Sequence, residues 1–345
     1  MSDHGTLDAI DTAQLLTEAV RQASAGDPHR ALDDLTRANR ATPSPAIEAE
    51  LVRLRNQAFD LIDRAPGRDS WPRRCDDPFP DVHGVPPEID RPDLDPDLLA
   101  GAIGHHGSLI IRDLVTPDEV GQLRDAIRSA FEAREAFNAG GEPSAWYEPF
   151  HKGRHHEAFA SERFVRIIDS PRTLFLLLEI YERNGLVDII AEHLGERPAL
   201  SAHKCALRRL TPNPDERSAD YHQDGSFLGA GIRTVNVWLP LHDCGGDTST
   251  TAGLDVIPTR IDHILETGTE GAYFDWTIAE RMADEAAGST PVVRPIFEAG
   301  DAMLFDELMV HRTGLSEGMV DERMAIEAWF FAPSVYPDDH VPLLV

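Results

Sequence analysis

Three residues that lie far apart in the chain have the side chains needed to hold a transition metal ion. His222 and Asp224 are two positions apart, so on an extended strand both side chains would leave the same face. His311 would supply a third ligand much later in the chain. Two imidazoles and one carboxylate leave metal positions open for a co-substrate and O2, as in non-haem Fe(II) oxygenases. The His-x-Asp tripeptide alone is explained more simply by chance, because a short motif needs a supporting context.

Two polar residues that follow His311 are suited to binding a carboxylate. Arg323 begins an alternating stretch that predicts a half-buried strand, and a guanidinium binds a carboxylate through paired hydrogen bonds. Thr313 would add a hydroxyl group to the same interaction. Taken alone, Arg323 is explained more simply by a surface ion pair with Glu317, Asp321 or Glu322. Its position after the three metal-ligand candidates favours the carboxylate-binding role.

The composition is that of an ordinary globular protein with a strongly acidic surface. The 345 residues are 41% hydrophobic and carry a formal net charge of −28, which opposes non-specific binding to nucleic acid or anionic lipid. Three scattered cysteines, without a C-x-x-C pair, fit a reducing compartment. The sequence shows no membrane-spanning run and no signal peptide. We therefore expect a cytoplasmic protein that acts on a small molecule, without a nucleic-acid or membrane partner.

The chain is predicted to have three regions. Residues 1–65 have helical spacing of apolar residues and resemble one tetratricopeptide unit. Because a single unit cannot bury its own face, we expect it to dock on the main domain or on a second copy in a homodimer, or to recruit a protein partner. Residues 66–97 are rich in proline and aspartate and predict a linker without regular helix. Residues 98–345 form the main domain.

The main domain is predicted to begin with helices and to continue as β-structure. Thr116, Pro117 and Glu119 predict the start of a helix with a capping box. Further helices are predicted at 171–184, 186–194 and 275–287, and strands at 109–111, 199–210, 234–241, 254–257, 292–297, 302–305 and 325–332. Strands at this spacing predict a sandwich or barrel of jelly-roll type. The loop 138–160, with His151, His155 and His156, is interpreted either as a cover over a site or as a surface connection.

Five motifs in sequence order resemble the phytanoyl-CoA dioxygenase family. They are His222-Gln223-Asp224, the strand 235–243, the segment 253–258, the segment 298–305, and His311-Arg312-Thr313-Gly314 with Arg323. The resemblance covers about residues 100–335 and excludes the helical amino-terminal region. It implies an α+β fold with a double-stranded β-helix core, jelly-roll or cupin-like, with flanking helices and an N-terminal helical segment.

The same resemblance implies an Fe(II)/2-oxoglutarate-dependent dioxygenase that uses O2 and releases succinate and CO2. It assigns iron to His222, Asp224 and His311 and the distal carboxylate of 2-oxoglutarate to Arg323 and Thr313. Other positions that it assigns to the co-substrate are Trp238, which walls the pocket, and a basic residue before the His-x-Asp motif, for which Lys204, Arg208 and Arg209 compete.

The type of reaction is open to more than one interpretation. Related halogenases carry Gly or Ala where this chain has Asp224, so the carboxylate favours hydroxylation or a similar oxidation over halogenation. One alternative is a metal-dependent oxidase or epimerase on the same scaffold that does not consume 2-oxoglutarate. Another is a non-catalytic scaffold whose helices bind a partner.

Overall fold

The computed structural model describes residues 12–64, 71–150, 163–202, 204–212, 220–229, 231–338 and 340–345. Its α-helices are α1 (Thr12–Ser24), α2 (Pro28–Ala41), α3 (Pro45–Phe59), α4 (Pro96–His106), α5 (Pro117–Asn138), α6 (Pro171–Arg183), α7 (Leu186–Leu194), α8 (Gly225–Leu228) and α9 (Glu280–Ala287). Its strands are β1 (Glu88–Asp90), β2 (Ser108–Arg112), β3 (Phe164–Arg166), β4 (Ala199–Ser201), β5 (Ala206–Leu210), β6 (Thr234–Pro240), β7 (Gly253–Val256), β8 (Ala302–Phe305), β9 (His311–Gly314), β10 (Arg323–Phe331) and β11 (Pro342–Leu344).

The three amino-terminal helices pack on one another and on the rest of the molecule. Their buried apolar residues form a cluster that also includes Leu344 of β11. Two hydrogen bonds join α3 to the same strand: Arg55 Nη1 donates to the carbonyl of Leu344 at 2.8 Å, and Asn56 Nδ2 to that of Pro342 at 2.8 Å. The helical segment therefore covers its apolar face with the main domain. Its likeness to one tetratricopeptide unit and the three-region division remain predictions.

The larger of the two sheets forms one wall of the candidate site. Strands β1, β2, β8, β6 and β10 lie in that order, with β1 and β2 parallel and the other neighbours antiparallel. Beyond β10, its first half pairs with β5 and its end with β4, and β3 and β11 lie outside these two strands. In an antiparallel pair, residues in register share a face. One face of this sheet therefore carries Arg208, Trp238, Arg323 and Glu327 together.

The smaller sheet lies against that face. It consists of β7 and β9, paired antiparallel from Gly253–Gly314 to Val256–His311. Isolated bridges continue it on both sides, from His311 to His222 and from Val256 to Val293. The rings of Phe305 and His311, one on each sheet, are 4.9 Å apart, so the two sheets enclose the site between them. This is the two-sheet, jelly-roll arrangement that the strand spacing predicts.

Several predicted elements differ in extent from those observed. Residues 275–287 contain the helix α9 only from Glu280 onward. Residues 292–297 contribute the isolated bridges of Val293 and Phe297 where a strand is predicted. The stretch 199–210 is divided into β4 and β5. The capping box of α5 is confirmed, since Glu119 N–H bonds Thr116 Oγ1 and the Glu119 carboxylate accepts from Thr116 N–H.

The proline-rich region contains more regular structure than its composition predicts. It holds β1, and α4 begins at Pro96, directly after Asp95 caps the amide groups of Asp97 and Leu98. Proline breaks helix interiors but fits the first helical turn, where its missing N–H is not needed.

Strands β3, β9 and β11 are too short to leave a periodic signal in the sequence. Among the described residues, no helix is long and apolar enough to cross a membrane.

Candidate metal centre

The side chains of His222, Asp224 and His311 meet at one point. One ligand atom from each lies within 4.8 Å of the others, and Asp224 Oδ2 is 3.6 Å from His311 Nε2. The two histidines face each other across a pair of backbone hydrogen bonds of 2.9 and 3.0 Å. The smaller sheet thus brings together residues that the sequence separates widely.

A turn, and not the alternation of a strand, directs Asp224 to the site. The prediction that His222 and Asp224 share a strand is wrong, because Asp224 has helical backbone angles and is the N-cap residue of α8. The next residue must be small: a Cβ at Gly225 would lie 2.6 Å from Ile264 Cδ1 and 3.1 Å from the carbonyl oxygen of Glu307. This close packing holds the start of α8 against the segment that leads to β9.

Backbone carbonyl groups orient both imidazoles for metal binding. Nδ1 of His222 lies 3.2 Å from the carbonyl of Asp220, and Nδ1 of His311 lies 3.1 Å from that of Met309. Because a carbonyl oxygen only accepts, each Nδ1 carries the proton in these contacts. Each Nε2 is then left with its lone pair, which is the form that binds a metal.

Burial keeps the imidazole of His222 neutral. Desolvation, and then the charge of His311, hold the pKa of His222 well below its usual range. Burial also raises the pKa of Asp224, against the opposing charges of His311 and Lys204. A buried carboxylate beside two imidazoles is costly without a compensating charge, whereas a divalent ion would satisfy all three side chains. This nitrogen and oxygen donor set fits Fe(II).

Arg323 lies on the facing sheet with part of its guanidinium free. The residue is only 3% exposed, and its Nη1 donates to the carbonyls of Ala252 and Gly253 at 3.0 Å each. Its Nε is buried and has no hydrogen-bond partner among the described residues. A buried N–H of a charged group rarely goes unpaired, because desolvation then costs free energy without compensation. The free Nε fits a carboxylate bound between the sheets.

The two residues predicted to accompany Arg323 lie nearby. The ring of Trp238 lies under the guanidinium, 5.2 Å from Arg323 Cζ, and packs edge-on against Phe297 at 5.0 Å. Thr313 lies two positions after His311 on β9, so both side chains leave the same face of that strand. Trp238 therefore shares the face of Arg323 and Thr313 the face of His311, and their contacts with a co-substrate remain a prediction.

The three competing basic residues differ in position, because Lys204 lies before β5 while Arg208 and Arg209 lie on opposite faces of that strand. Lys204 lies close enough to Asp224 for their charges to interact, and burial lowers its pKa to about 8. Arg208 faces the cavity and binds Glu327 through Nε at 3.0 Å and Nη2 at 2.8 Å. Arg209 points the other way, to Glu322 at 2.7 Å and the Phe131 ring at 5.5 Å. The assignment of Arg209 to the co-substrate is thus wrong, because adjacent strand residues face opposite sides.

Several residues near the metal ligands are given no role by the sequence motifs. Glu327 is the partner of Arg208, and Asn236 points a buried Oδ1 with no described partner from the same face of the sheet. The rings of Phe227 and Trp276 lie 6.5 and 5.3 Å from that of His222. Strand register supplies a signal for the first two, since they share the face of Trp238. Phe227 lies on the four-residue helix α8 and Trp276 lies in a loop, and neither position has a strand register.

Comparison with known families identifies the family of the chain. The model for "Phytanoyl-CoA dioxygenase (PhyH)" matches residues 104–319, which is more than half of the sequence. The chain belongs to the phytanoyl-CoA dioxygenase family. The resemblance seen in the sequence motifs is therefore confirmed, and with it the family expectation of Fe(II), 2-oxoglutarate and O2. A search for similar curated proteins found no match.

Solved structures support the fold. EctD from S. alaskensis in its apoform is 18% identical, with a TM-score of 0.50 over 81% of this chain and 90% of that one. AviO1 from Streptomyces viridochromogenes Tue57 is 18% identical, with a TM-score of 0.44 over 69% and 94% of the two chains. The epimerase SnoN, whose structure contains Fe3+ and alpha ketoglutarate, is 16% identical with a TM-score of 0.44 over 68% and 83%. The likeness to EctD confirms the predicted fold class of this family member.

Proposed function

We propose that the protein is a non-haem Fe(II)/2-oxoglutarate-dependent dioxygenase that hydroxylates a small-molecule substrate. The observation that carries this proposal is the presence of two unsatisfied sets of groups on facing sheets. His222, Asp224 and His311 form a metal-ligand set where the start of α8 meets the smaller sheet. Arg323, with a buried and unpartnered Nε, lies on the facing sheet. A metal ion and a dicarboxylate co-substrate would satisfy both sets of groups together.

Each residue of the site has a role that follows from its position. The two imidazoles and Asp224 hold the metal on one side and leave its other positions open. When bound, Fe(II) with 2-oxoglutarate supplies oxidative decarboxylation by O2 and oxidation of a substrate C–H bond. Arg323 binds the distal carboxylate of 2-oxoglutarate, helped by the Thr313 hydroxyl. Trp238 and Phe305 close the cavity to water on the side of the larger sheet.

Lys204 and Arg208 give the space between the two sheets a positive charge that suits anionic ligands. This local charge contrasts with the −28 of the whole chain. Glu327 holds Arg208 by a bidentate contact, so Arg208 acts mainly as a fixed wall of the cavity. The ammonium group of Lys204 is less restrained, as its Nζ contacts the ring of Phe227 at 3.4 Å. Asp224, as a carboxylate ligand in place of Gly or Ala, supports hydroxylation over halogenation.

Binding and turnover measurements test this proposal separately. Purified protein is titrated anaerobically with Fe(II), and then with 2-oxoglutarate, by calorimetry. We expect one Fe(II) per chain and a 2-oxoglutarate affinity that depends on Arg323. Succinate is then measured in the presence of O2. Its formation distinguishes a 2-oxoglutarate-dependent oxygenase from a metal-dependent oxidase or epimerase that does not consume 2-oxoglutarate. An absence of Fe(II) binding would instead favour a non-catalytic scaffold.

A further inference from the structure

A row of aromatic side chains leads from solvent to the metal centre. Trp276 packs edge-on against His222 at 5.3 Å and against Phe227 at 5.5 Å. Its other neighbour is Phe274, stacked at 5.2 Å with only 7° between the rings, and Tyr273 contacts Phe274 at 4.5 Å. Tyr273 is 52% exposed and Phe274 40%. We call Tyr273, Phe274 and Trp276 the aromatic row.

The aromatic row is fixed to the segment that carries the metal ligands. Ser226 Oγ donates to the carbonyl of Trp276 at 3.2 Å, and the amide of Tyr273 donates to Asp220 Oδ2 at 2.8 Å. Phe274 and Thr277 also exchange hydrogen bonds of 3.0 and 3.1 Å. The aromatic row is thus partly exposed to water, lies beside a metal ligand and is held in place by hydrogen bonds of its backbone. Such rings form a preformed surface for a ligand.

Next to this surface lies Lys204, a cation that has no ion-pair partner among the described residues. The Nζ atom of Lys204 is 3.4 Å from the centroid of the Phe227 ring, and Phe227 in turn contacts Trp276. Within the described ranges, no carboxylate lies at ion-pair distance from Lys204. By contrast, Arg208 is bound to Glu327 and Arg323 to two carbonyl groups. A cation–π contact leaves the donors of an ammonium group available to an anion.

The use of lysine at this position is unusual for this chain. Of 32 basic residues only two, Lys152 and Lys204, are lysines. Lys152 lies outside the described residues. An ammonium group is a compact point charge, which suits an anion that approaches from a variable direction, whereas a guanidinium prefers a flat two-point contact.

We propose that the substrate combines a planar ring system, which stacks on the aromatic row, with a carboxylate, which pairs with Lys204. The inference rests on the proposed function, because it places the ring of the substrate beside the metal ligand His222. A stacked ring uses the face of an aromatic side chain, and an offset stack adds binding free energy beyond burial. A cationic substrate is opposed by Lys204, and a flexible aliphatic substrate would leave the exposed rings unused.

The test uses two probes of the same shape, 2-naphthoate and 2-naphthalenemethanol. The full-length protein is loaded with 2-oxoglutarate and with Mn(II) in place of Fe(II), so that no turnover occurs. Probe affinity is measured by saturation-transfer NMR, and Mn(II) retention by equilibrium dialysis. We expect 2-naphthoate to bind at least about ten-fold more tightly than the alcohol, as a charge-assisted hydrogen bond provides. Loss of Mn(II) binding contradicts the proposed function. Retained Mn(II) with equal or absent binding of the probes overturns only the present inference.

Variants separate the two parts of the proposal. Lys204→Met is expected to remove the preference for the carboxylate and to leave the alcohol bound as before. Trp276→Leu is expected to weaken both probes about ten-fold, in line with the free energy of an aromatic stack. Trp146→Leu is the matched control, because Trp146 packs under Arg172 on the side of the amino-terminal helices. An unchanged preference in Lys204→Met, or unchanged affinities in Trp276→Leu, would overturn the assignment.

A second measurement needs no variant at the site. Reductive methylation with 13C-formaldehyde labels the two lysines and the terminal amine, and Lys152→Arg assigns the signals by the loss of one of them. We expect the Lys204 methyl signal to shift with 2-naphthoate and to stay in place with 2-naphthalenemethanol, while the Lys152 signal serves as internal reference. A Lys204 signal that ignores both probes, although 2-naphthoate binds, would show that Lys204 is not the anion partner.

Discussion

At the scale of single residues, the site is defined by which atoms are left without a partner. The carbonyl contacts at Nδ1 of His222 and His311 leave both Nε2 atoms free toward Asp224. On the facing sheet, Nε of Arg323 also has no hydrogen-bond partner among the described residues. Four residues identified from motif spacing thus converge in space. Arg209 does not, because a motif does not reveal which face of a strand a residue occupies.

Removal of one imidazole tests the metal site. His311→Ala deletes one of three ligands, and we expect Fe(II) affinity to fall by more than about 100-fold, beyond the loss typical of an outer-shell change. Succinate formation should fall in parallel. His83→Ala is the control, since His83 is exposed and lies in the proline-rich region. Anaerobic calorimetry measures the affinity, and unchanged Fe(II) binding in His311→Ala would disprove the assigned ligand set.

Two arginines on paired strands give a matched test of co-substrate binding. Arg323→Met removes the free Nε, and we expect the KM for 2-oxoglutarate to rise roughly 10- to 100-fold, as for the loss of a charge-assisted hydrogen bond. Fe(II) binding should be retained. Arg209→Met removes an arginine from the opposite face of the same sheet and should leave this KM within about two-fold, because surface ion pairs contribute little. Steady-state succinate assays decide, and equal effects of both changes would contradict the assignment.

At the scale of elements, a short helix and a buried carboxyl group support Asp224. The amide of Gly225 donates to the carbonyl of Glu307 at 2.9 Å, so α8 is attached to the segment before β9. The side chain of Glu307 accepts from Thr234 Oγ1 at 2.6 Å. Burial, and then the charge of Asp306, raise the pKa of Glu307 to about 7. None of these contacts leaves a periodic pattern in the sequence.

The raised pKa of Glu307 predicts a pH-dependent stability. The unfolded chain loses this proton near the ordinary pKa of 4.5, whereas the folded protein keeps it until the pH reaches about 7. Stability therefore falls as the pH rises between these values and levels off above them. Glu307→Gln keeps an acceptor for Thr234 without the ionisation. The free energy of unfolding of Glu307→Gln minus that of the wild type should therefore rise by at most about 3 kcal/mol between about pH 5 and about pH 8.

Urea denaturation at several pH values, with a chelator present, measures this difference. Glu266→Gln is the control, because Glu266 is exposed. Its stability relative to the wild type should not change with pH. A difference between Glu307→Gln and the wild type that stays constant across the range would show that Glu307 is ionised in the folded protein at all these pH values.

Element prediction succeeded where periodicity is strong and failed where a turn decides. The buried strand β6 and the capped helix α5 follow directly from their sequences. The position of Asp224 on α8 does not, because α8 has only four residues and is held by tertiary contacts. Trp276 of the aromatic row lies in the stretch 275–287 that is predicted as helix, yet regular helix begins only at Glu280. At this position the packing of Trp276 against His222 outweighs the helical propensity of the local sequence.

At the scale of the whole molecule, the amino-terminal helices and the main domain share buried surface. Leu54 is fully buried in the cluster that contains Leu344. Ion pairs reinforce the contact, since Arg172 Nε binds the buried Glu48 carboxylate and Arg40 binds Glu179. Sequence patterns predict the helices and their need for a covering surface. They do not predict which surface, because α3 and β11 are linked only through tertiary packing.

This shared surface predicts coupled unfolding. Leu54→Ala leaves a cavity between the helices, and we expect a loss of about 3 kcal/mol in the free energy of unfolding. Because the two regions are joined, the loss should lower the midpoint of one common transition. Val20→Ala, at a half-exposed position of α1, should change stability by less than about 0.5 kcal/mol. Calorimetry with a separate early transition for Leu54→Ala would show that the helices unfold independently.

The bond between Arg55 and the carbonyl of Leu344 also sets an order of events during synthesis. It joins residues 289 positions apart, and Leu344 belongs to the same apolar cluster as the helices. At the ribosome's pace of 5–20 residues per second, roughly 15 to 60 s separate the synthesis of its two ends. Helices α1 to α3 thus wait with one face uncovered until Leu344 has been made. For that interval they are the part of the nascent chain best suited to engage a chaperone.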